Sequence, residues 1–334
     1  MIKSVFFTSS IFMLIIFISC KKSNSKNSTN PLSEITGLIN KHYELWTFDS
    51  ITKDSTIINF GYLKRSENNH TLMIYIDGSH YRSAFGIKER DTWIKPGTPS
   101  SFGMSVFKDF DILVPEKINI EIGKDHTHDK VVLNYATVED RVYASSRVID
   151  TYLNSNGYYK TVIIIGSSEG ARILPSIYWN LENREKITHL IFSFGNGGIS
   201  QYKGFKILLQ KDGITSLEKK MYTQFEDEII KIKQVPYSID KMYFGHSYKR
   251  WTSYLHYSSL KEILKIDIKI LLLAGVRDYY TPVESARVIV DKFKKKNKKN
   301  LTYIEYEEMG HGPGNKEDSI RIIKDMHKFI NKTN

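Results

Sequence analysis

Apolar residues recur along this chain in two rhythms that alternate repeatedly. Short runs occupy 56–63, 71–76, 111–114, 161–165, 189–194, 269–274 and 301–306. The later ones, VIII, LIFSF and ILLLA, show no polar alternation and predict strands covered on both faces, as in the middle of a parallel sheet. Between the runs, apolar residues three and four apart predict helices over about 138–155, 168–181, 283–296 and 318–331. Thr137 and Asp140 have the spacing of a capping box for the first of these helices, and Asn156-Gly157 reads as its left-handed stop. The fold class expected is α/β, with a mostly parallel central sheet flanked by helices. Residues 200–261 fit no strand-helix unit. They contain an amphipathic stretch at 216–233 and the aromatic tract YFGHSYKRWTSYLHY, and predict a helical, lid-like insertion over one end of the sheet.

The first 19 residues follow a different pattern. Lys3 precedes an apolar run over 5–18 that is shorter than the roughly 20 residues a spanning helix needs. It therefore reads as an export signal. Ser19-Cys20 at its end resembles the lipobox of bacterial lipoproteins, with Phe17 at the usual leucine position. That resemblance implies cleavage, lipidation at Cys20 and an exported, membrane-anchored protein on the periplasmic or cell-surface side. Residues 20–31, rich in Lys, Ser and Asn, are expected to be a flexible tether, and 32–334 the folded domain with its insertion at about 200–261.

Composition narrows the chemistry. With 41% hydrophobic and 25% charged residues among 334, the chain is globular rather than fibrous or multi-spanning. Its only cysteine is Cys20, so lipidation there would leave no thiol for a disulfide, a zinc cluster or a nucleophile. The net charge of +11 bears on solubility and nonspecific attraction rather than on fold, and export argues against a nucleic-acid partner.

Ligands of parallel sheets bind beyond the carboxyl ends of the strands, so the residues just after each apolar run carry the chemical signal. After 161–165 comes Gly166-Ser167-Ser168-Glu169-Gly170, a G-x-S-x-G pattern between a strand and a helix. Alone the pattern arises by accident in about one chain in ten; its position between strand and helix gives it meaning. A serine hydroxyl is a weak nucleophile and needs a base, which needs a partner to fix its tautomer. Asp278 follows 269–274 and His311, between two glycines, follows 301–306. Each residue alone also reads as an ordinary loop residue. The order serine, acid, histidine on three successive strand-end loops resembles the α/β-hydrolase superfamily over about 56–331. The resemblance implies Ser168 as nucleophile, Asp278 as acid and His311 as general base. It further implies an oxyanion hole formed by the backbone N–H of Glu169 and one from Asp77-Gly78-Ser79-His80, at Ser79 or His80. Asp77 stands where such families often have histidine.

Other features have plainer readings. His126-Thr127-His128-Asp129 misses zinc-hydrolase spacing and reads as a surface loop, and Gly195-Asn196-Gly197-Gly198 does not complete a dinucleotide motif because Ser200 holds the last position. No metal and no cofactor is implied. The basic run at 292–299 reads as a solvated helix end or as a contact for anionic headgroups or glycans. Tyr243, Phe244, Tyr248, Trp251, Tyr254 and Tyr257 either line an acyl pocket or pack the insertion onto the sheet. The function expected is an exported serine hydrolase acting on a small-molecule or peptide acyl substrate. An esterase is slightly favoured over a peptidase of the same fold, and a ligand-binding lipoprotein without turnover is the rival from another class.

Overall fold

The computed structural model describes residues 41, 43–65, 69–98, 110–211 and 216–332. The proposed signal at 1–19, Cys20 and the tether at 20–31 lie outside the described residues. Eight strands form one sheet: β1 (Thr47–Lys53), β2 (Thr56–Leu63), β3 (Thr71–Ile76), β4 (Asp111–Pro115), β5 (Thr161–Ser167), β6 (His189–Ser193), β7 (Lys269–Gly275) and β8 (Leu301–Tyr306). Their spatial order is β1-β2-β4-β3-β5-β6-β7-β8. Strands β3 to β8 are mutually parallel, while β2 runs antiparallel to both β1 and β4.

The uninterrupted apolar runs have a simple cause: alternate residues of each central strand serve opposite faces. Leu72, Ile74, Val162, Ile164, Ile270 and Leu272 enter one core, and Met73, Tyr75, Ile163, Ile165, Leu271 and Leu273 enter the other. The first core is covered by α1 (Val138–Ser155), α2 (Glu169–Asn180) and, past the insertion, Glu284–Lys295. The second core is closed by the last helix, Lys316–Ile330, through Ile322, Ile323, Met326 and Phe329, and by a hairpin of Gly86–Glu89 with Thr92–Pro96.

The insertion has a small core of its own. It comprises α3 (Gln201–Leu208), α4 (Ser216–Thr223), α5 (Phe225–Gln234) and α6 (Tyr248–Tyr254), after which Glu284–Lys295 and Lys316–Ile330 become α7 and α8. Phe205, Leu208, Phe225, Ile229, Tyr248 and Trp251 bury one another there. The amphipathic stretch over 216–233 is therefore two helices, broken at Gln224, and the second opens on Glu226, Asp227 and Glu228, where the helix dipole favours acids. The aromatic tract packs rather than lining a pocket: Tyr248, Trp251 and Tyr254 are buried, and Tyr254 joins the main core.

The capping box at the start of α1 forms as its spacing predicts, with Thr137 and Asp140 satisfying each other's backbone N–H. The left-handed stop at its other end does not form. Asn156 has φ −135°, and it closes the helix by donating from both backbone and side chain to the Tyr152 carbonyl, at 2.9 and 3.1 Å. Among the described residues no helix is long and apolar enough to cross a membrane.

Candidate active site

Three strands deliver three side chains to one point. Ser168 follows β5 and precedes α2 with φ 54° and ψ −115°, a conformation side-chain-bearing residues rarely hold. The turn exists because its neighbours are glycine. A Cβ at Gly166 would lie 2.6 Å from the Ala171 backbone, and one at Gly170 would lie 2.3 Å from the Ile76 carbonyl oxygen. Ser168 N–H donates to the Ser193 carbonyl at 2.9 Å, which ties the turn to the end of β6.

His311, in the loop after β8, places Nε2 2.8 Å from Ser168 Oγ and Nδ1 2.8 Å from Asp278 Oδ2. Facing a carboxylate, Nδ1 carries the proton and donates it, so Nε2 offers its lone pair to the serine hydroxyl. Asp278, in the loop after β7, is only 1% exposed. Its other oxygen accepts the backbone N–H groups of Tyr280 at 2.7 Å and Thr281 at 2.8 Å, which fixes the carboxylate plane against the imidazole. The Tyr280 ring stands beside the histidine at a tilt of 59°, with centroids 5.3 Å apart. Ser168 and His311 are partly exposed and so within reach of a ligand.

Of the segments proposed for the oxyanion hole, Glu169 follows the serine directly and the 77–80 loop comes close to it at Gly78. Glu169 is the first residue of α2, where backbone N–H groups point outward and the dipole favours negative charge. Gly78 is close enough that a Cβ there would lie 3.5 Å from Ser168 Cβ, so the 77–80 loop approaches the serine at Gly78.

Sequence reasoning missed the charges that hold this loop. The Asp77 carboxylate pairs with His80 at 2.9 Å and with buried Lys117 at 3.2 Å. Burial pushes its carboxyl up, yet His80 and Lys117 outweigh that and hold it well below the usual range. Arg141 of α1 donates to the Asp77 carbonyl at 2.8 Å, to the Gly78 carbonyl at 3.1 Å and to Glu169 Oε1 at 2.6 Å. Arg250 of α6 grips Glu169 Oε2 at 2.5 Å. Burial alone would raise the Glu169 carboxyl, but Arg250 and Arg141 bring it down to about 2. One carboxylate thus links the serine turn, the 77–80 loop and the insertion. A buried arginine in an amphipathic helix looks in sequence like a solvated one, and only Asp77 in an unusual position hinted at the network.

The remaining candidates resolve plainly. Gly195 backs the serine turn, since a Cβ there would stand 1.7 Å from the Ser168 carbonyl oxygen. His126 spends both ring nitrogens locally, Nδ1 on Asp129 at 3.1 Å and Nε2 accepting from Glu121 N–H at 3.2 Å. Among the described residues no three of His, Cys, Asp and Glu group as metal ligands.

Comparison with known proteins agrees with this architecture. The sequence profile of the prolyl oligopeptidase family (Peptidase_S9) matches residues 199–334, a range that includes Asp278 and His311 but not Ser168. No curated protein matches the sequence. Among solved structures, Pyrococcus horikoshii acylaminoacyl peptidase is similar over 88% of this chain at 14% identity and TM-score 0.56. This chain spans only 43% of that peptidase. An esterase of Pyrococcus furiosus is similar over 85% of this chain and 91% of its own, at 13% identity and TM-score 0.51. Mouse alpha/beta hydrolase domain-containing protein 10 is similar over 85% of this chain and 98% of its own, at 14% identity and TM-score 0.51. The fold is that of the α/β-hydrolases.

Proposed function

We infer that this chain is a serine hydrolase that cleaves an ester, thioester or amide through an acyl-enzyme on Ser168. The observation that carries the reading is the continuous relay from Ser168 Oγ through His311 to Asp278, each link 2.8 Å. In this reading His311 Nε2 removes the serine proton as Oγ attacks the acyl carbonyl, and Asp278 stabilises the imidazolium that forms. The tetrahedral oxyanion is held by backbone N–H groups, that of Glu169 and one at Ser79 or His80. His311 then returns the proton to the leaving group, and later draws one from the water that releases the acid. No step calls on a cofactor. The protein is further proposed to be exported and tethered through Cys20.

The prolyl oligopeptidase profile over 199–334 favours a second version of the same chemistry, in which the scissile bond is an amide. Nitrophenyl esters and acyl-amino-acid nitroanilides, compared by kcat/KM, separate the two.

A fluorophosphonate probe tests the whole reading. It should label the wild-type protein at Ser168 and leave Ser168→Ala unlabelled, with ester or amide turnover down by about 10⁴-fold or more. Wild-type protein that takes no label and turns over no acyl substrate would instead fit a binding protein with a hydrolase fold.

A further inference from the structure

We propose that the end of the sheet opposite Ser168, where the amino ends of the parallel strands lie, is a docking surface for an anionic lipid membrane. Basic residues precede each of the later strands: Lys160 before β5, Lys186 before β6, Lys265 before β7 and Lys299 before β8. The helices that return to this end add more, since α7 finishes on Lys294 and Lys295 and continues into exposed Lys296. Acids at this end are fewer than cations, with Glu182 and Glu185 after α2, exposed Asp291 one turn before Lys295, buried Asp111 at the start of β4, and Asp267 engaged with Lys298.

The opposite end is arranged differently. There, some cations are matched across elements: exposed Lys130 with Asp240 at 2.7 Å, exposed Lys206 with Glu226 at 3.0 Å and partly buried Lys211 with Glu284 at 3.4 Å. The lysines of the amino end thus form a positive patch at the end of the sheet away from the serine, within a net charge of +11 that the insertion shares. A one-sign patch of lysines on separate loops suits a diffuse layer of phosphate headgroups, to which each contributes as a point charge.

Two further observations favour a membrane over other polyanions. Tyr158 and Trp179 are 38% and 36% exposed in this same region, with Lys64 lying 5.6 Å from the first ring and Arg184 5.6 Å from the second. Tyrosine and tryptophan interleaved with cations is the composition of a headgroup-level anchor. In addition, β1 starts at this end: Thr47 pairs with Tyr62, whose neighbour Leu63 pairs with Ile112 at the start of β4. The described residues just before β1 therefore reach the sheet at this same end. Docking this surface turns Ser168 away from the bilayer, toward substrates in the aqueous phase.

Brief acetylation of the full-length protein on vesicles, read lysine by lysine with mass spectrometry, tests this. On phosphatidylcholine vesicles containing about 30% phosphatidylglycerol, Lys295, Lys296 and Lys299 should react about five-fold more slowly than on phosphatidylcholine alone, and about 0.5 M NaCl should abolish the protection. Lys206 and Lys231 of the insertion should react equally on both. The triple variant Lys295→Gln, Lys296→Gln, Lys299→Gln should weaken the protection of Lys160 and Lys265. Because every arm compares two lipid compositions, attachment through Cys20 cannot mimic the result. Equal rates on both vesicles, or protection of the insertion lysines instead, would overturn the proposal. So would protection by duplex DNA at about 0.15 M NaCl without protection by the anionic vesicles.

Discussion

Arg141 and Arg250 at the carboxyl end of the sheet carry the same charge as Lys295 and Lys299 at its amino end, and the two pairs stand in opposite surroundings. The arginines are 4% and 3% exposed and share one carboxylate. The lysines lie in water. Charge inside a protein is costly unless paired and hydrogen-bonded, and once paired it fixes geometry. Charge on the surface costs little and acts on partners at a distance set by salt. Here one end uses charge to build a site and the other presents it outward. Substitutions at the two ends should therefore differ in what they damage and by how much.

The largest effect belongs to the relay. Asp278→Asn keeps the shape of the buried side chain but can donate from its amide, which favours the wrong imidazole tautomer. We expect kcat to fall by about 10⁴-fold with little change in melting temperature. A fall of less than about ten-fold would show that Asp278 does not orient His311 during turnover.

Next comes the buried carboxylate. Glu169→Gln leaves two buried guanidinium groups short of a counter-charge, for which about 3–5 kcal/mol of stability is expected to be lost. Since Glu169 is held at about 2 in the folded chain against 4.5 ordinarily, its contribution is complete above 4.5 and disappears as pH falls toward 2. Wild-type and Glu169→Gln melting temperatures should therefore stay fully apart above pH 4.5 and approach each other as pH falls toward 2. Parallel curves throughout would mean that the pair contributes nothing specific to the folded state.

These two residues also mark how far sequence reasoning reaches. The central strands were legible because burial on both faces forbids polar interruption; Ser168 and Asp278 follow such strands and His311 follows the half-buried edge strand 301–306, each in a loop set with glycine. The edge strand β1, TFDSITK, escaped notice since it is mostly exposed and has no apolar period. The hairpin at 86–96 escaped because its strands are only four and five residues long and its apolar Trp93 and Ile94 are adjacent rather than alternating. Arg141, Arg250 and Lys117 escaped for a different reason. Their burial depends on contacts with residues tens of positions away, and composition makes any single cation look solvated.

A smaller effect separates strain from chemistry at the serine turn. Positive φ with ψ −115° suits glycine, and the strain of holding another residue there is about 1–3 kcal/mol. Ser168→Gly and Ser168→Ala both lack the hydroxyl and should both be inactive. The glycine variant should nevertheless melt at the higher temperature, by an amount equivalent to about 1 kcal/mol after the greater chain entropy of glycine is deducted. If alanine is the more stable of the two, the turn stores no strain and the glycines around it serve packing alone.

The smallest effect is expected at the amino end, and it is the one that could undo the contrast. Lys295 closes α7, where a cation meets the negative end of the helix dipole, so Lys295→Gln removes a favourable interaction as well as a charge. Asp291, one turn earlier, also attracts it, while neighbouring Lys292, Lys294 and Lys296 repel it and keep serving the same dipole. The two terms oppose each other, each a few tenths of a kcal/mol, and the net change in stability should stay below about 0.5 kcal/mol. A denaturant titration giving a loss of about 2 kcal/mol or more would mean that Lys295 is tied into the fold as Arg141 is, and that the charge at this end is structural too.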